Sequence, residues 1–192
     1  AKYRNKELFV ADLGVNTVSH YALKKGKYEC LQSIPFKENS GPRHLELTKY
    51  GRFIYVINEY ASSISVLEKK GKKYNIKQNI STLEPSFKDK NTAADIHLSA
   101  DEKYIYGTNR GENTVVVFKR NLKKGTLTKI QSVSTHGECP RNFSFDPSGK
   151  YLLIANKISN SIAVFDVDKK SGKITFKYTR DSPMPTCLTF VD

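Results

Sequence analysis

Tryptophan is absent from this chain of 192 residues, methionine occurs once and cysteine only three times. The cysteines, Cys30, Cys139 and Cys187, are odd in number and far apart. That excludes a disulfide framework or a Cys-x-x-Cys metal spacing, and leaves buried, reduced thiols of a cytoplasmic protein as the expectation. Long apolar runs are missing too: nothing approaches the ~18 consecutive apolar residues of a membrane-spanning helix. There is no secretory leader pattern, and a chain that begins at Ala1 instead of methionine is expected to lack something upstream. No G-x-S-x-G elbow, P-loop or dinucleotide fingerprint occurs, so the chemistries those motifs serve have no sequence support.

Acidic residues are scarce, 19 against 32 Lys and Arg, which gives a net charge of +13. Such an excess is one mark of a nucleic-acid binder. Here, however, the lysines cluster in turns: "LKKGK", "EKKGKK", "LKKGT" and "DKKSGK". No basic run is interleaved with aromatics that stack on bases. A solvated basic rim therefore fits better than a nucleic-acid groove, and its field attracts small anions. With 38% hydrophobic and 27% charged residues the chain reads as one folded domain.

What is present is a repeat. The segments "ELFVADLGVNTVSHY", "FIYVINEYASSISVL", "YIYGTNRGENTVVVF" and "YLLIANKISNSIAVF" align without gaps. Each is an apolar strand, a polar turn and a strand of alternating character. Asp12, Asn58, Asn109 and Asn156 fall at one position of this pattern, 46, 51 and 47 residues apart. Three units carry an earlier strand, "RHLELT", "DIHLSA" or "RNFSFD", and each unit ends in a further one such as "KYNIKQNI". Four short antiparallel strands recurring every ~45–50 residues predict an all-β fold of propeller blades with minimal helix. The units are approximately 1–42, 43–92, 93–139 and 140–183, and 184–192 is expected to be the inner strand of a further blade. The first unit is expected to lack its inner strand. Incomplete blades at either end expose faces that a closed ring covers, and so invite self-association.

Hairpin arithmetic gathers the charged residues. Positions equidistant from a turn face each other, so Arg43 is predicted opposite Glu59 about Gly51, Ala94 opposite Arg110, and Arg141 opposite Lys157 about Gly149. Inner strands of a propeller line its channel. Arg43, Arg110 and Arg141 should therefore converge at one mouth with Glu59, Asp95 and His97. Two readings remain open for this cluster: an ion-pair ring bracing the channel, or an anion pocket with one carboxylate placed to handle a proton. His44 and His97 fit hydrogen-bonded packing roles better than catalytic ones, His44 more so, and nothing in the spacing forms a metal site.

"GPRHLEL" followed by "YVINE", then "AADIHLSADEKYIYGTNR", then "PRNFSFDPSGKYLLIAN" resembles the lactonase family of seven-bladed β-propellers along essentially the whole chain. That family includes cycloisomerase-2-type 6-phosphogluconolactonases and 3-carboxymuconate lactonising enzymes. The resemblance implies about four blades of seven, a full ring needing roughly 330 residues. It places the family's site arginine at Arg43, its glutamate at Glu59 and a second arginine at Arg141. The family's histidine falls on a strand ahead of Ala1. The function the resemblance implies is hydrolysis of 6-phosphogluconolactone in the pentose phosphate pathway, in the cytoplasm, without metal or organic cofactor. Arg43 and Arg141 would hold anionic oxygens, and Glu59 would activate water or shuttle a proton, its arginine neighbours suiting it to a base. His97, Arg110, Asp95 and His44 would contact substrate. A muconate-type cycloisomerase and a non-catalytic binding propeller are the alternatives.

Overall fold

In the computed structural model of the chain, which describes residues 1–191, all regular structure is strand, in four sheets of four. Blade 1 comprises β1 (Lys2–Arg4), β2 (Glu7–Asp12), β3 (Thr17–Lys24) and β4 (Lys27–Pro35). Blade 2 comprises β5 (Pro42–Leu47), β6 (Phe53–Asn58), β7 (Ser63–Lys70) and β8 (Lys73–Ser81). Blade 3 comprises β9 (Thr92–Leu98), β10 (Tyr104–Arg110), β11 (Thr114–Arg120) and β12 (Leu127–Ser134). Blade 4 comprises β13 (Pro140–Phe145), β14 (Tyr151–Asn156), β15 (Ser161–Val167) and β16 (Ile174–Asp181). Each sheet is an antiparallel meander in chain order, and β1, β5, β9 and β13 are the innermost strands, each touching the next. Among the described residues no helix is long and apolar enough to cross a membrane.

Strand alternation explains the packing. Phe53, Tyr55 and Ile57 of β6 join Ile105, Val116 and Phe118 in the core between blades 2 and 3. Ile54 and Val56, on the other face of the same strand, pack on Phe9, Val18 and Ile34 of blade 1. Tyr104 and Tyr106 likewise face Phe143, Ile154 and Phe165 of blade 4. Strands in mid-blade are thus apolar on both faces, and β6 is buried at every residue. Each of the three cores joins successive blades, and none joins blade 4 to blade 1.

A side-chain device repeats at the outer edge. In the ladders between third and fourth strands one residue is bulged, at Leu31, Lys77, Ile130 and Lys177. The residue after the bulge is Gln32, Gln78 or Gln131 in blades 1 to 3. Each glutamine clamps a peptide of the next blade with both amide atoms: Gln32 on Tyr74, Gln78 on Leu127 and Gln131 on Ile174, all at 2.8–2.9 Å. These bonds satisfy backbone groups of an edge strand that would otherwise lack partners. In blade 4 the same slot holds the exposed Tyr178.

Three expectations need correction. Blade 1 does have an inner strand: Lys2, Tyr3 and Arg4 pair with Phe9, Leu8 and Glu7. Three residues suffice for a ladder, although they are too few to show alternation. None of the cysteines is buried, Cys30 and Cys187 being exposed and Cys139 intermediate, and all three are free thiols. They sit on edge and linker segments rather than in the apolar cores. Finally, the mirror register is off by one residue near the turn and by two at the head of each inner strand. Pro42, not Arg43, lies at the end of the ladder opposite Asn58, Arg110 faces Thr92, and Pro140 faces Asn156. One residue of the offset lies in the turns, whose centres are not at the assumed positions. The second is a β-bulge in every one of these inner strands, which inserts Arg43, a residue of the Ala94–Asp95 pair, and Arg141. The segment 184–191 forms no strand among the described residues; its Leu188 N–H donates to the Asn142 side chain at 2.7 Å.

Candidate active site

The bulges aim side chains. Alternation sends Leu45 and Leu47 of β5 into the core between blades 1 and 2. The extra residue at the head of the strand turns Arg43 to the same side as His44, and Arg43 Nη1 lies 3.4 Å from His44 Nε2. The same insertion on β13 sets Arg141 beside Asn142. Gly41 permits the entry to β5: its φ is +64°, and a Cβ there would stand 2.7 Å from the ring of Tyr60.

Glu59, just past β6, sits between two arginines. Arg43 Nε meets one carboxylate oxygen at 2.9 Å, and Arg110 Nη2 meets the other at 2.9 Å. The backbone pins the same group from both blades, because Glu59 N–H donates to Gly41 and Glu59 C=O accepts from Ala93 N–H. Arg43 also donates to the carbonyl of Ala94, and Arg110 to that of Ala93 at 3.1 Å. All three side chains are less than a fifth exposed. Arg141 makes no hydrogen bond or ion pair with the described residues. Burial draws the Arg43 guanidinium below its ordinary pKa, Arg110 and Arg141 add to the drop, and Glu59 opposes it. Two guanidiniums therefore share one carboxylate, and the charge of a third, Arg141, is felt at Arg43.

One step deeper, Asp95 of β9 collects five donors. His44 Nδ1 lies 2.6 Å from one oxygen, which also accepts Ile96 N–H at 2.9 Å. Asn142 Nδ2 at 2.6 Å, Phe143 N–H at 3.2 Å and His97 Nε2 at 3.3 Å address the other oxygen. Burial would raise the pKa of this carboxyl, but the hydrogen bonds from His44 and His97 outweigh it and hold the group far below the usual carboxylate range. His97 is bracketed by carboxylates, with Glu46 3.4 Å from its Nδ1. Burial alone would lower its pKa; Asp95 and Glu46 raise it to about 9. A cavity of about 240 Å³ opens here, lined by His44, Glu46, Asp95, His97, Asn142 and Lys2.

The folded-state pKa of His97 lies above its value of 6.5 in the unfolded chain, so its pairing stabilises the fold fully below pH ~6.5 and is lost as pH rises towards 9. Thermal melts from pH 6 to pH 9.5 should show this. The wild type is expected to lose up to about 3 kcal/mol, or about 5–10 °C, more than His97→Gln over that interval. Parallel curves for the two proteins would contradict the pairing.

The sequence-predicted residues thus form two linked clusters, with Arg43, Glu59 and Arg110 in one, His44, Asp95 and His97 in the other, and Arg141 beside the first. Glu46 and Asn142 were not anticipated. Their signal was the alternation itself, because Glu46 shares a face with His44, and Asn142 precedes the core residue Phe143. A larger cavity of about 430 Å³ lies between blades 3 and 4, lined by Tyr104, Tyr106, Phe145, Asp101, Asp146 and Lys169. Its carboxylates are engaged in turns, Asp101 by Ser99 and Lys103, Asp146 by Ser148 and Tyr151, and Lys169 donates to the Ser148 carbonyl.

The chain belongs to the lactonase family of β-propellers. The family model described as "Lactonase, 7-bladed beta-propeller" matches residues 3–190. The 6-phosphogluconolactonase of Bacillus subtilis is 31% identical over 183 residues, covering 94% of this chain and 52% of the relative. That of Formosa agariphila is 34% identical, covering 88% and 50%. Among solved structures, the Pseudomonas aeruginosa periplasmic gluconolactonase PpgL superposes with a TM-score of 0.90 at 30% identity, over 97% of this chain and 54% of that one. The chain spans about half the length of the curated relatives it matches.

Proposed function

We propose that the protein hydrolyses a sugar lactone, 6-phosphogluconolactone, to 6-phosphogluconate, the reaction of the pentose phosphate pathway. The observation that carries this reading is the charge balance of the site: Arg43 and Arg110 share Glu59, while Arg141 has no acid partner among the described residues. An excess of guanidinium charge at a partly buried mouth fits a substrate that brings an anionic group and develops an oxyanion as water attacks. In this assignment Arg43 receives the developing charge on the lactone carbonyl oxygen, and Arg141 holds the phosphate. Glu59 fixes the two arginines it touches. The relatives named 6-phosphogluconolactonase support the substrate class. A cytoplasmic setting belongs to the same reading, and three free thiols are consistent with a reducing compartment.

The test is a lactonase assay with spontaneous hydrolysis subtracted. Arg141→Ala should raise KM for 6-phosphogluconolactone roughly 10–100-fold, the worth of a charge-assisted hydrogen bond. It should leave turnover of unphosphorylated glucono-δ-lactone nearly unchanged. Equal losses on both substrates would remove Arg141 from the phosphate, and turnover of 3-carboxymuconate in place of either lactone would replace the reaction.

A further inference from the structure

Two histidines share the carboxylate of Asp95, and their far sides differ. His97 has Glu46 beyond it, so each ring nitrogen faces an acceptor and both carry protons. His44 has Arg43 beyond it. A guanidinium can only donate, and Arg43 Nη1 stands 3.4 Å from His44 Nε2. A proton on that nitrogen would oppose the arginine's own N–H. Asp95, ionised and acceptor-only, lies 2.6 Å from Nδ1 and requires the proton there. The surroundings therefore select one tautomer, with N–H at Nδ1 and a lone pair at Nε2. With 46% of its side chain exposed, His44 is also the member of this group most open to the channel.

Glu59 differs in kind. Each of its oxygens is held by an arginine at 2.9 Å. A carboxylate so engaged keeps one lone pair on each oxygen, but a proton taken there would weaken the ion pairs that hold the two arginines in place. The lone pair of His44 meets only one long contact, from Arg43 Nη1 at 3.4 Å, and it lies beside the guanidinium that would receive an oxyanion. A base and an oxyanion donor side by side can address the same carbonyl group, one at its carbon through water and the other at its oxygen.

We propose that His44 is the general acid–base of the lactonase reaction and that Asp95 is the positioning residue that fixes its tautomer. The proposal rests on the lactonase reading above. His44 Nε2 removes a proton from water as the water oxygen bonds to the lactone carbonyl carbon. The carbonyl π pair moves onto its oxygen, facing Arg43. When that pair returns, the ester C–O bond breaks, and the ring oxygen leaves with the proton carried by His44. One lactone and one water give one hydroxy acid, which ionises in solution, and His44 is restored. The roles of Asp95 and His44 match the logic of hydrolytic triads, with water as the nucleophile.

Two measurements decide it. Imidazole ¹⁵N NMR of the wild type should show His44 protonated at Nδ1 and bare at Nε2 at pH 7, and Asp95→Asn should shift it towards the Nε2–H tautomer. In the lactonase assay, His44→Gln should lower kcat about 100-fold or more with KM within about threefold. The wild-type spectrum needs no variant to fold, and a partly exposed side chain such as His44 tolerates replacement. Wild-type His44 found with its proton on Nε2 would overturn the proposal, as would a His44→Gln enzyme that retains kcat within threefold. A wild type that turns over no lactone above background would refute the lactonase reading instead. The orientation of His44 by Asp95 would then stand or fall on the tautomer alone.

Discussion

Asp95→Ala should be the most destabilising single substitution in the channel wall, costing about 3–5 kcal/mol. The size of the loss reflects how many groups one side chain satisfies. Asp95 accepts from the buried Ile96 and Phe143 amides, from Asn142 of blade 4 and from His44 of blade 2. It also offsets the charge on His97. Removing it orphans donors in three blades at once, and a buried donor without a partner costs about 1–3 kcal/mol. At about 2–4 °C per kcal/mol for a chain of this size, the melting temperature should fall by about 10 °C. Asp95→Asn keeps one oxygen able to accept and should fall by less. A shift below about 2 °C for Asp95→Ala would show that the three blades do not depend on this carboxylate. Because the group is held ionised far below the usual range, its contribution is complete above pH ~4 and disappears only as pH falls through its depressed folded-state value.

The architecture was legible because propeller blades write themselves into sequence at two periods. Alternation along "FIYVIN" and "YIYGTN" marks strands with two buried faces, and the recurrence of Asn58, Asn109 and Asn156 marks the blade. What alternation cannot register is an inserted residue. The bulges at Arg43 and Arg141 leave the hydrophobic pattern intact on either side, and so the arithmetic that set Arg43 opposite Glu59 missed by two, Glu59 lying level with Gly41. The charges met nonetheless, because a long guanidinium reaches across that offset. The same arithmetic put Arg110 opposite Ala94, and it brought Arg110 towards Glu59 only through the expected convergence of the inner strands, not as a contact from the next blade. β1 escaped notice for a simpler reason: Lys2, Tyr3 and Arg4 contain no buried residue to give a period. Asp95 was visible as a charge on an inner strand, but not as a hub. Its partners Asn142 and His44 come from different blades, and contacts between blades leave no local trace.

Arg43 and Glu59 should behave in kinetics as one unit. Arg43→Ala is expected to lower kcat/KM about 10²–10³-fold, the usual cost of losing one oxyanion donor. Glu59→Gln should also impair turnover, though for another reason: Arg43 and Arg110 then stand close together with no carboxylate between them, and each keeps only its bond to a backbone carbonyl. Once Arg43 is gone, Glu59 has lost half of what it organises, so adding Glu59→Gln to Arg43→Ala should cost much less than it costs alone. A double-mutant cycle would read this as a coupling of about 1–3 kcal/mol. Additivity within about 0.5 kcal/mol would mean that the 2.9 Å contact between them is a structural brace with no bearing on the reaction. The cycle also separates the two roles proposed for acidic and basic groups here. If Glu59 were itself the base, its loss would stop proton transfer even in the Arg43→Ala background. The two effects would then multiply, which organisation through Arg43 does not allow.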